Sequence, residues 1–493
     1  MKHLLSSILI ATSVICLSDA NLGSTSNTLY WNTNRVDTTE AIEEEISIEN
    51  CTGFYLDDSN DAFWVIDTYG KNVIHATKEN EVRIPIKETA LPSDIVVDKD
   101  TLYIYDDLLQ SVILFDKTGD FLSKVKVPLE VEEEVLWMRQ SNPYLLFQTD
   151  QERTYLYNKN TKAITTVGFQ LERLDLDTYD YNYRIDSDER GNSYYLAANI
   201  FEDTSILSGE LTIIKTNAKK EPVGYFTIPT MDITGLADTF FQVSDDGICY
   251  FLYTMEEEYC IKRIFFRSEP YTYEEEIRQM ISEKETEYKR RENSYADLST
   301  TLSKKIVLQN ALEIINYTYS LKNTNIENSK DVEIPKEILY YKDFSDVLPE
   351  IKGIPYCWGG CNTLSKATSV YGTFPSALAS GKNAGNTDTH GYLKTDSCGL
   401  DCSGYITAVF GIPGKKNTSM LLGLGKRVTD TNELSSMDFL LSPGSHVILL
   451  HEWGNDGFLT TSEAAVLEGK VVLKTRPLAP FLIQSCYQMR TVK

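Results

Sequence analysis

Cys402 lies in the stretch Gly399-Leu400-Asp401-Cys402-Ser403-Gly404-Tyr405-Ile406-Thr407-Ala408-Val409-Phe410. Gly399 permits a turn, and Tyr405 to Phe410 is an apolar run of helical character. A cysteine in the first turn of a helix meets free N–H groups and a partial positive charge, both of which favour a thiolate. Such a nucleophile needs an imidazole. Downstream, Ser442-Pro443-Gly444-Ser445-His446-Val447-Ile448-Leu449-Leu450 reads as a turn followed by a strand that His446 opens. A second strand, 458–465, carries Ser462-Glu463. Glu463 would accept the second ring N–H of His446 and fix its tautomer, while Ser462, its alternating neighbour, is the other candidate for that position. Nucleophile, base and orienting residue thus follow one another on helix, strand and strand.

Blander readings stand beside this one. An isolated cysteine is by default a buried structural thiol, and Glu463 also reads as an ordinary polar strand residue. His451, five residues from His446 and so on the opposite strand face, is the fallback base; His390, on a loop, reads as solvated. Cys357, Cys361, Cys398 and Cys402 form two C-x3-C pairs that zinc could use. Zinc pairs run closer to C-x2-C, so no metal is assigned, and a disulfide from Cys398 to Cys357 or Cys361 is the preferred reading for an exported chain. Phosphate-binding glycine loops, a zinc-protease helix and a Gly-x-Ser-x-Gly elbow do not occur, and no cofactor is expected.

Tyr356-Cys357-Trp358-Gly359-Gly360, Asp401-Cys402-Ser403-Gly404 and Gly444-Ser445-His446-Val447 together resemble the three signature blocks of the NlpC/P60 family, over roughly the last 140 residues. That resemblance implies a papain-like α+β domain hydrolysing peptidoglycan stem peptides between γ-D-glutamate and the diamino acid. Cys402 would be the nucleophile and His446 the base. Tyr356 would place a hydroxyl near the sulfur, and Asp401 and Ser403 would hold the free amine of the substrate's L-alanine. The chain departs from the family in three places. Glu463 stands where a His is usual. Residues Trp453–Gly457 lengthen the hairpin after His446. Met437-Asp438 replaces a Gly-Asp pair. The competing readings are another amidase or acyltransferase of the same superfamily, or an exported binding protein that has lost activity.

The elements that position these residues begin far upstream. Between about Asp58 and Phe266, apolar-aromatic runs recur in pairs: 63–66 with 73–75, 102–105 with 112–115, 145–147 with 155–157, 194–196 with 211–214, and 250–252 with 261–264. Alternation within runs and polar turns between them indicate strands. The spacing resembles NHL-type six-bladed β-propellers. Five units are visible, and Leu29 to Val36 would supply strands to close the ring; an irregular β-sandwich is the alternative. From 273 to 319 the period turns helical, with Ile277, Ile281, Tyr288, Tyr295, Leu298 and Leu302 on one stripe. Leu321 to Lys330 reads as a linker, and Glu132-Glu133-Glu134 as a solvated loop.

The expected plan for the 493 residues is therefore multidomain. It comprises a signal peptide (1–20), an all-β propeller-like domain (21–270), a helical connector and linker (271–330), and a papain-like domain (331–493). The basic start Lys2-His3, apolar Leu4 to Leu17 and Ser18-Asp19-Ala20 indicate export, and Ile15 before Cys16 argues against a lipid anchor. No later run reaches the ~18 apolar residues of a spanning helix. A formal charge of −25 argues against a polyanion-binding surface, so nucleic acid is not an expected partner. Peptidoglycan fragments are, together with a protein or glycan at the propeller.

Overall fold

The computed structural model describes residues 30–31, 45–48 and most of 51–492, apart from short segments of which 340–349 and 389–394 are the longest. The expected signal peptide, His390 and Cys486 lie outside the described residues.

Each apolar pair read from the sequence is the central pair of a small antiparallel sheet. Four sheets have four strands. The first is Cys51–Asp57, Ala62–Asp67, Asn72–Thr77 and Glu81–Pro85, and the second is Pro92–Asp98, Thr101–Asp106, Ser111–Asp116 and Phe121–Lys126. The third is Val135–Ser141, Tyr144–Thr149, Arg153–Asn158 and Ile164–Gly168, and the fourth is Tyr181–Ser187, Ser193–Ile200, Gly209–Thr216 and Pro222–Thr227. In the fifth, Glu45–Ile48 and then Tyr30–Trp31 add to the edge of Gly235–Val243, Cys249–Met255 and Glu258–Ile264. Tyr30–Trp31, from the segment expected to close the ring, thus completes an existing sheet. Central strands such as Ala62–Asp67 are buried throughout, whereas the outer strand Phe121–Lys126 exposes Phe121 and Leu122.

The first strands of different sheets are tied to one another by buried polar groups. Asp94 accepts from the Met138 backbone N–H at 2.6 Å, and Gln242 Nε2 donates to the Phe54 carbonyl at 3.1 Å. Arg139 donates to the Phe241 carbonyl at 3.2 Å and faces Asp186. Of the acidic run at 132–134, Glu133 is described and is not solvated. Glu133 is buried and accepts from Thr149 Oγ1 at 2.7 Å and Tyr155 OH at 2.6 Å, because the second and third strands of the third sheet offer it hydroxyls.

The helical region is two separate helices, Glu274–Glu292 and Lys304–Ile315. Ile277, Ile281 and Tyr288 of the first pack on Phe201 and Ile206 of the fourth sheet's loop, while Tyr295, Leu298 and Leu302 lie outside helix and lean on the C-terminal core. The second helix belongs to that core through Val307, Ala311, Ile314 and Ile315. The expected linker begins as packed chain: Leu321 and Ile326 are buried, and Asn325 Nδ2 donates to the Leu378 and Lys382 carbonyls.

The C-terminal half is built on a six-stranded antiparallel sheet in the order Lys426–Arg427, Gln488–Thr491, Phe439–Ser442, His446–Trp453, Phe458–Ala465, Lys470–Pro477. Side chains alternate between its faces. Val447, Leu449 and Ala464 meet Tyr405 and Ile406 of the helix Cys402–Val409, while Leu440, Ile448, Leu450 and Met489 share a core with Tyr183, Phe226 and Phe251 of the N-terminal sheets. Burial on both faces explains why these strands read as unbroken apolar runs. The lengthened hairpin has the same cause: Gly457 lies against the Tyr181 ring, and Phe458 contacts Tyr183 with ring centroids 5.4 Å apart. Among the described residues, no helix is long and apolar enough to cross a membrane.

Candidate active site

Cys402 is the first residue of the helix Cys402–Val409, and Asp401 is its N-cap. The Asp401 carboxylate accepts from the Gly404 N–H at 2.6 Å and from Ser403 Oγ at 3.0 Å, satisfying a donor that the helix start leaves open. Gly404 is required by contact: a Cβ there would stand 2.2 Å from the Gly360 carbonyl oxygen. Gly399 has the same role toward Pro355, whose carbonyl oxygen a Cβ would meet at 2.2 Å. The Tyr356–Gly360 block is therefore pressed against the start of this helix. Tyr356 is buried and bridges Leu400, and the Cys357 N–H donates to the Leu400 carbonyl at 3.0 Å.

His446, at the start of its strand, is bonded through Nε2 to Glu463, and the Cys402 thiol lies near enough to help raise its pKa. Glu463 is in turn ion-paired through its other oxygen to Arg476 of the next strand. Burial by itself lowers the His446 pKa, but the Glu463 carboxylate and the bond to Cys402 outweigh it and raise the group to about 10. Burial pushes the Glu463 carboxyl up, and the charges of Arg476 and His446 more than reverse that, to about 2. The raised imidazole and the lowered carboxyl describe a charged His446–Glu463 pair at neutral pH.

Strand alternation decides between the two candidates for the orienting position. Ser462 points to the helix side, where its Oγ lies 2.6 Å from Tyr405 OH and 2.7 Å from His451 Nε2. Burial lowers the His451 pKa to about 4, so this histidine stays neutral and is engaged away from Cys402.

The expected disulfide is not formed: Cys249, Cys357, Cys361, Cys398 and Cys402 are all free thiols. Each neighbour of the site is satisfied elsewhere. The Cys357 sulfur faces Ser397 Oγ at 3.4 Å, Cys398 donates to the Asn383 carbonyl at 3.3 Å, and Cys361 to the Thr368 carbonyl at 3.6 Å. Burial pushes the Cys357 and Cys398 thiols up to about 12. Among the described residues, no three His, Cys, Asp or Glu side chains converge as metal ligands would.

Sequence reasoning missed two residues. Arg476 carries a signal in hindsight, since Lys474 and Arg476 alternate on one face opposite Glu463 and Glu468. Lys415 carries none. It ion-pairs with Asp401, and its Nζ also donates to Ser403 Oγ at 3.0 Å and the Gly360 carbonyl at 3.3 Å.

No known protein-family model matches the chain, and no curated protein matches its sequence. Among solved structures it is similar to a luciferin-regenerating enzyme, with 9% identity and a TM-score of 0.30, over 49% of this chain and 98% of that one. It is also similar to a DUF4221 family member from Bacteroides vulgatus, with 10% identity and a TM-score of 0.29, over 50% of this chain and 100% of that one.

Proposed function

We propose that the chain is an exported, papain-like cysteine peptidase of NlpC/P60 type that hydrolyses peptidoglycan stem peptides at the γ-D-glutamyl–diamino acid bond. The observation that carries this reading is the contact series from Cys402 to His446 to Glu463 to Arg476, assembled at a helix N-terminus. Sulfur, having passed its proton to His446, attacks the amide carbonyl as thiolate. The backbone N–H of Cys402 stabilises the oxyanion, His446 protonates the departing amine, and a thioester forms. Water, deprotonated by His446, then releases the acid and restores the thiol. Glu463 holds the imidazole's orientation throughout, and Arg476 keeps Glu463 ionised.

The small four- and five-stranded sheets, linked through their first strands, support reading the N-terminal half as a propeller of five units that binds a partner or walls the cleft. This part of the proposal rests on architecture. The basic and apolar leader of the sequence supports export.

Incubating L-Ala-γ-D-Glu-diamino acid peptides with the wild type and with Cys402→Ala tests the activity. Cleavage at the γ-D-glutamyl bond by the wild type alone is expected. A Cys402→Ala protein that cleaves equally well would overturn the mechanism, and an inert wild type would overturn the substrate.

A further inference from the structure

Three acceptors beside the nucleophile converge on one ammonium. They are the carboxylate of Asp401, the hydroxyl of Ser403 at 3.0 Å and the carbonyl of Gly360 at 3.3 Å, and the ammonium is Lys415 of the same chain. Asp401 and Ser403 flank Cys402 directly, so this is a cation site one residue from the reacting sulfur. Lys415 reaches it because the helix ends at Val409 and the chain turns back through Gly411 and Gly414, both at positive φ, which glycine adopts without strain. The side chains concerned are largely buried, with Asp401 at 10% and Lys415 at 22% exposure, so the pair is poorly screened by water.

We infer that Lys415 is a built-in occupant of the ammonium subsite next to Cys402, and that the enzyme acts on acyl chains whose amine is acylated or otherwise uncharged. This rests on the peptidase reading above and alters its substrate class. The role that family resemblance implies for Asp401 and Ser403, holding a substrate's free amine, is filled from within. A second ammonium brought to the same acceptors would meet Lys415 at like charge in a partly desolvated place, which is strongly unfavourable. A stem peptide still joined to its glycan through an amide carries no such charge and is compatible with the occupied subsite.

Paired substrates test this: L-Ala-γ-D-Glu-diamino acid with its amine free, and the same peptide N-acetylated. The wild type is expected to show about tenfold or higher kcat/KM for the acetylated peptide, and Lys415→Met to shift the ratio toward the free amine by about tenfold or more. A wild type that prefers the free amine, or a ratio unchanged in Lys415→Met, overturns the inference and leaves the peptidase reading standing. If neither peptide is cleaved by either protein, the peptidase reading fails on these substrates, and the subsite is read without catalysis. In that case Lys415→Ala is melted with and without n-butylammonium. A rise in Tm for the variant and none for the wild type supports the subsite, and no rise in the variant overturns it.

Discussion

At the residue scale the proposed relay is a set of buried charges, and pH is its most direct probe. The raised His446 pKa gives stability that is fully present below about 6.5 and lost as pH climbs through about 10. The depressed Glu463 pKa gives stability present above 4.5 and lost as pH falls through about 2. Both shifts describe one buried pair, so Glu463→Gln is expected to destabilise most near neutrality, by about 3 kcal/mol as for a broken buried ion pair, with the difference narrowing above pH 10. Chemical denaturation at several pH values checks this, and a pH-independent difference contradicts it. The same variant should lose about 100-fold or more in kcat with little change in KM, because misorienting the imidazole removes general acid–base assistance. Ser462→Ala should instead cost about 1 kcal/mol of stability through Tyr405 and His451, with far less effect on kcat.

Thiol chemistry gives a second test at that scale, independent of any substrate. Iodoacetamide at neutral pH, followed by peptide mapping, should modify Cys402 faster than Cys357 and Cys398, whose thiols burial holds near 12. His446→Ala should slow modification of Cys402 and leave those two unchanged. Equal labelling of all three in the wild type would contradict the proposed relay.

At the scale of elements, two short segments are fitted to each other, the Tyr356–Gly360 block and the start of the helix Cys402–Val409. Gly404→Ala would force a Cβ to 2.2 Å from the Gly360 oxygen, so it should lower Tm and activity together, whereas Ala at the exposed Gly381, with nothing within 4 Å but a φ of +88°, should lower Tm through backbone strain and leave activity intact. Met437 is a related case. It holds a left-handed φ of +70°, which costs a non-glycine residue about 1–2 kcal/mol. Yet it is buried in the C-terminal core, and removing such a side chain forfeits about 2–5 kcal/mol. Packing wins, so Met437→Gly should lower Tm, and a rise would show that backbone strain dominates.

At the scale of the whole molecule, the halves share a core rather than merely a linker. Residues 205–207 pair with 487–489, with the Leu207 N–H donating to the Tyr487 carbonyl at 2.8 Å and the Met489 N–H to the Ser205 carbonyl at 2.9 Å. The first connector helix joins both: Glu285 accepts from the Ser205 N–H and Oγ, and Arg291 donates to the Pro443 carbonyl in the turn that leads to His446. Calorimetry of the intact chain should therefore show a single unfolding transition. A fragment starting at 331 would lose residues 304–315 and bare Ile448, Leu450 and Met489, and it should aggregate. Two well-separated transitions in the intact chain would contradict this coupling.

The sequence alone determined whatever depends on local pattern. It located the central strand pairs, because those strands are buried and apolar, and it placed Cys402 at a helix start and His446 and Glu463 on strands, because such positions leave marks within a few residues. It missed the outer strands, such as Phe121–Lys126, whose mixed exposure erases the alternation, and it misread Glu133, whose burial depends on hydroxyls 16 and 22 residues away. Only the tertiary structure chose Glu463 over Ser462, since strand register sets which neighbour faces His446. Arg476 behind Glu463 and Lys415 on Asp401 likewise come from separate turns of chain. Charges buried together must find partners in space, and no spacing rule along the chain states which ones they will be.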